Sequence, residues 1–160
     1  MKKLIFALLL LSQTILAQAT EASTCSANKG SYITGTVTSA PQFYTSSSVI
    51  QGIRLTHTRL YLRSDQDGRS YDVAMDNVFA VDYMKNSTSM PASLAAIRIN
   101  DRLGVCGAKY TSGTGIHWVH TNCGDVPTSS APNGSVKKIS TTGTVGLNLE
   151  RSQNYCYLWN

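Results

Sequence analysis

The stretch "GIRLTHTRLYLRSDQDGRSYDVAMDNVF" (residues 52–79) decides the fold. Its first half, 52–65, is long and rich in β-branched and aromatic residues. Asp67-Gly68 then supplies the turn chemistry of a tight hairpin, and 69–79 returns the chain. In the return strand Tyr71, Val73 and Met75 fall on one face and Asp72, Ala74 and Asp76 on the other, the period-2 pattern of a half-buried strand.

Outward from this hairpin the chain keeps the same character. "YITGTVTSA" (32–40) alternates Ile33, Gly35 and Val37 against polar residues, and Pro41 ends it. "KNSTSMP" (85–91) reads as a loop, and "PASLAAIRI" (91–99) as one short helix with Pro91 in its first turn. "NDRLGVCGAKYT" (100–111) opens on a turn and alternates Leu103 and Val105 against Arg102 and Gly104. "SGTG" leads into "GIHWVH" (115–120), read as a further strand. On it Ile116, Trp118 and His120 would share the inner face and His117, Val119 and Thr121 the outer one. "GDVPTSSAPNGS" is loop-like, "TVGLNL" is a last short strand, and "YCYLWN" is an aromatic end.

The expected class is therefore mostly β. Five strands with a helix between the third and fourth resemble the OB-fold, a small five-stranded Greek-key barrel; here it would carry a C-terminal extension. "DRLGVCG…GIHWVH" is similar to exported bacterial OB-like domains without an assigned function. That resemblance covers roughly residues 31–121 and implies an architecture rather than an activity.

The ends and the cysteines suggest a compartment. Lys2 and Lys3 precede the apolar run Leu4–Ala17, and Ala17-Gln18-Ala19 has the form of a cleavage site, so 1–19 reads as a signal peptide. The run is short for a membrane span. The expected mature chain, 20–160, is one domain, periplasmic or secreted. Without Lys2 and Lys3 the net charge falls from +5 to +3, too scattered for the electrostatic footprint of nucleic-acid binding. Cys25, Cys106, Cys123 and Cys156 make an even number and read as two disulfides. Three pairings are possible, and Cys106–Cys123 with Cys25–Cys156 is preferred because it staples neighbouring strands and ties the domain ends together.

The chemistry-bearing residues are few. Cys106, His117, His120 and Cys123 have the residue types of a zinc site, but oxidising export favours disulfides. Asp67-Gly68 fails as a calcium loop, since Arg63 and Ala74 would occupy ligand positions. No nucleophile elbow and no Gly-rich phosphate loop occurs, and no cofactor is implied. His57 with His117 or His120, and Asp72 or Asp76, could form an acid–base set for phosphodiester hydrolysis. Tyr61 and Tyr71, with His57, could instead form a ligand face on strands two and three, where OB-folds bind oligomers. Three readings follow: a disulfide-bonded binding module for a small ligand, glycan or protein partner; a hydrolase; and a subunit of a secreted oligomer. Convergence of the histidines with Asp72 or Asp76 in one pocket would favour the hydrolase, and their dispersal the binding module.

Overall fold

The computed structural model describes residues 18–159. The expected signal peptide lies almost wholly outside them. Eight strands form one sheet: β1 (Ser31–Val37), β2 (Gln42–Ile50), β3 (Ile53–Ser64), β4 (Ser70–Asp76), β5 (Arg102–Lys109), β6 (Gly115–His117), β7 (Ser135–Ile139) and β8 (Val145–Asn148). A helix α1 spans 18–27, and α2 (Ala92–Ala95) lies between β4 and β5.

Five strands close a ring in the order β1-β3-β4-β6-β5, with β5 pairing back to β1. Every pair in the ring is antiparallel except β4–β6, which is parallel. This is the expected five-stranded OB-like barrel, with its helix between the third and fourth strands of the ring. β2 adds to β3 outside the ring, while β7 and β8 extend the sheet from β5.

The barrel closes around the alternating faces of β3 and β4, while β5 is buried at every position from Leu103 to Ala108. Leu60, Leu62, Val73, Met75, Leu103 and Val105 all point inward and are buried. At about 25 cal/mol per Å² of apolar surface removed from water, such residues supply most of the favourable free energy. Gly35 sits where β1 crosses β3, and a Cβ there would overlap the Arg63 carbonyl. Three inward positions on β3 are polar: Ser64 Oγ donates to Gln66 Oε1 at 3.0 Å, and the 3-10 turn Asn77–Phe79 satisfies Thr56 and Thr58. Thr58 Oγ1 donates to Asn77 Oδ1 at 2.6 Å, and Asn77 Nδ2 donates to Thr56 Oγ1 at 3.0 Å.

Four features differ from the sequence reading. β2 has no regular alternation because most of its residues are exposed on an edge, and β7 (SVKKI) carries two lysines. The helix is four residues long, although Leu94 and Ile97 are buried as its pattern implies. The disulfides are Cys25–Cys106 and Cys123–Cys156. Cys106 lies opposite Tyr32 on β1, which places it beside α1 rather than near Cys123. Finally, "GIHWVH" is a strand only to His117. Trp118 adopts φ 53°, a left-handed conformation that breaks the two-residue period. Ile116, Val119 and His120 are therefore the buried residues, while Trp118, expected to point inward, is only half-buried.

Among the described residues no helix is long and apolar enough to cross a membrane.

Candidate functional site

The outward face of β3 carries Leu55, His57, Arg59 and Tyr61 in succession. Register places Tyr44 of β2 and Asp76 of β4 directly opposite His57, on the same face. β6 ends beside them and delivers His117 and Trp118. The C-terminal turn Cys156–Trp159 closes one end: Leu158 is buried with Ile53, Val78 and Phe79, and the Cys123–Cys156 bridge fixes the turn to the chain beyond β6.

Asp76 is the centre of this face. His57 Nε2–H donates to Asp76 Oδ1 at 2.6 Å, and His120 Nε2 lies 3.5 Å from Asp76 Oδ2, too far for a hydrogen bond. His120 Nδ1 is 2.6 Å from the Thr121 carbonyl, so that nitrogen carries the proton and Nε2 presents its lone pair. Burial lowers the His120 pKa and keeps the ring neutral. For His57 the hydrogen bond to Asp76 dominates and raises the pKa, whereas burial lowers that of His117. Glu150 lies behind the site with both carboxyl oxygens buried and without a hydrogen-bond partner. Its pKa stands well above the usual carboxyl range, first through burial and then through the charge of Asp76.

The walls are aromatic. His120 stacks on Phe79 with centroids 3.8 Å apart and planes 4° apart, and Phe79 stacks in turn on Trp159 at 5.1 Å. Trp118 tilts against His120 at 5.0 Å. Tyr110 lies 4.8 Å from the His117 ring, over Gly115, where any Cβ would overlap it. Arg59 donates through Nε and Nη2 to the two carboxylate oxygens of Asp72, and its guanidinium sits 5.3 Å from the centre of the Tyr44 ring.

Two adjoining clefts result. One, of about 450 Å³, lies between Leu55, Phe79, Trp118, His120 and Trp159; the other, of about 360 Å³, between Tyr44, Arg59, Tyr110, His117 and Trp118. His57, Asp76 and Trp118 border both. His57 and His120 thus converge on Asp76 and not on Asp72, while His117 borders only the smaller cleft beside them. Both His57 and His120 turn Nε2 toward that carboxylate rather than toward a common point, and among the described residues no three His, Cys, Asp or Glu side chains could hold a metal ion.

Of the residues singled out for a ligand face, His57 is central and Tyr61 is exposed on the same strand face. Tyr71 pairs opposite Leu62, points inward, and donates its hydroxyl to Asp67 at 2.9 Å, so it is not part of one platform with Tyr61. Phe79, Arg59, Tyr110 and Glu150 carried no signal of their own in the sequence. Comparison of the chain with known protein families, curated proteins and solved structures finds no match.

Proposed function

We propose that this chain is an exported binding module, its leader removed near Ala19, whose ligand occupies the clefts around His57, Asp76 and Trp118. The observation that carries this reading is a carboxylate flanked by two imidazoles and walled by aromatic rings on the open face of a disulfide-bonded barrel. A few convergent polar groups in an aromatic-lined concavity, with displaced pKa values, are the usual marks of a ligand site. The test is an NMR screen of the labelled protein against monosaccharides, nucleosides and amino acids. Amide shifts should cluster at His57, Asp76, Trp118 and Trp159, and should vanish in Trp118→Ala. Shifts confined to another face would overturn the reading.

A second reading, hydrolysis, is favoured by the convergence of His57 and His120 on Asp76 and by one more observation. His57 and His117 border the same cleft with pKa values displaced in opposite directions, the arrangement that separates an acid from a base. His117 would take a proton from water, the water oxygen would attack the phosphorus of a phosphodiester, and His57 would protonate the leaving oxygen. Binding ranks first because Arg59 is already bonded to Asp72, which leaves no unpaired lysine or arginine for a phosphate among the described residues bordering the clefts. Turnover of bis-p-nitrophenyl phosphate that disappears in both His57→Gln and His117→Gln would reverse the ranking.

A further inference from the structure

We propose that the ligand is an uncharged oligosaccharide of at least three units, laid along the outward face of β3; this rests on the binding reading above. The two clefts do not end at Arg59. A third, smaller hollow continues past it, bordered by Ser39, Gln42, Tyr44, Arg59, Tyr61 and Asp72. It shares Tyr44 and Arg59 with the cleft beside it, just as that cleft shares His57, Asp76 and Trp118 with the one under Trp159. The three form one track that follows β3 from Leu55 to Tyr61, about 20 Å at the rise of a strand.

Each compartment offers an exposed aromatic ring: Trp159 at one end, Tyr44 in the middle and Tyr61 at the other, 42%, 42% and 52% exposed. Rings repeated along a track suit a ligand with a repeating face. A pyranose has such a face, apolar C–H on one side with hydroxyls around its rim, and aromatic side chains with polar neighbours match both parts. Nucleobases also stack, but they come with a phosphate at every step and need unpaired cations beside the rings. Arg59 is the only arginine or lysine among the described residues bordering the track, and Asp72 holds it in two hydrogen bonds. His57 is bonded to Asp76, and Asp125 adds a carboxylate near Trp159. Carboxylates repel polyanions and accept hydrogen bonds from hydroxyls. The charge pattern therefore selects a neutral glycan over a nucleic acid or a sulfated one.

The experiment is a printed array of neutral and acidic glycans probed with the whole protein. Calorimetry then follows with the best neutral oligosaccharide, its mono- and trisaccharide fragments, oligothymidylate and a heparin fragment. The trisaccharide should bind more tightly than the monosaccharide, with little dependence on salt. Tyr61→Ala, an exposed change, should weaken the trisaccharide roughly three- to tenfold, the value of one aromatic contact, and affect the monosaccharide less, since a single unit can use the compartments of Trp159 and Tyr44. Equal binding of both fragments with a silent Tyr61→Ala would overturn the extended ligand while leaving the clefts as a binding site. Salt-sensitive binding of heparin or oligothymidylate, or an array with no neutral hit, would overturn the neutral glycan; the NMR screen judges the clefts separately.

Discussion

His57 and Asp76 face each other across the β3–β4 pair, and the imidazole Nε2–H donates to the carboxylate at 2.6 Å. The bond raises the pKa of His57 above its ordinary 6.5. The folded protein therefore holds this proton more tightly than the unfolded chain does. Its contribution to stability is complete below about pH 6.5 and is lost as pH rises through the raised value. Asp76→Asn keeps an oxygen acceptor but removes the charge. The variant should be less stable than the wild type at pH 5, and the gap should narrow by pH 8. Melts at the two pH values check this, and an NMR titration should show the His57 pKa falling.

Glu150 supplies a second pH dependence of the same sign. Burial and the neighbouring Asp76 charge favour its protonated form in the folded protein, while the unfolded chain ionises near the ordinary 4.5. Stability should fall as pH rises above that value. Glu150→Gln cannot ionise, so it should flatten the stability profile between about pH 5 and pH 8 and melt higher than the wild type at pH 8. The gain comes from removing the cost of keeping the carboxyl protonated in the folded chain while the unfolded chain ionises, so it should grow from pH 5 to pH 8. An unchanged profile would show that Glu150 ionises alike in the folded and unfolded chains, and would exclude the raised pKa.

The barrel was legible because β3 and β4 alternate and Asp67-Gly68 fixes their register; Gly68 indeed turns with φ 69°. β2 was not, because an edge strand with both faces largely exposed needs no pattern. The site was half legible. His57, His117, His120 and Asp76 stood out by residue type, but the approach of His120 to Asp76 depends on Trp118 leaving the strand. A left-handed conformation at a tryptophan has no sequence signal of the kind glycine or asparagine gives. The cysteine pairing was hidden for a similar reason: α1, which carries Cys25, packs beside β5 through contacts that no local periodicity records.

The backbone at Trp118 gives a clean test. Trp118→Ala and Trp118→Gly remove the same ring, yet only glycine accepts φ 53° without steric cost. The glycine variant should be the more stable of the two by about 1 kcal/mol, despite its greater unfolded-state entropy. Both should cost less than Phe79→Ala, since Phe79 is 2% exposed and carries the stack beneath His120. That substitution should cost about 3–5 kcal/mol. Chemical denaturation of the three variants orders them, and an alanine variant more stable than the glycine one would exclude the left-handed conformation.

The two disulfides should separate stability from site geometry. Cys25–Cys106 closes a sequence separation of 81 residues and Cys123–Cys156 one of 33. On loop entropy each contributes about 4 kcal/mol, the longer loop ahead by roughly 0.8 kcal/mol. Removing either pair by serine replacement should therefore lower stability by similar amounts. Only the Cys123–Cys156 pair holds the turn that carries Trp159 against Phe79. Its removal should also change the near-ultraviolet circular dichroism of the aromatic stack and weaken any ligand that contacts Trp159. The Cys25–Cys106 replacement should spare both under conditions where the barrel stays folded. If the two replacements affect the aromatic signal equally, the C-terminal turn is held by Leu158 packing alone and the bridge plays no part in shaping the site.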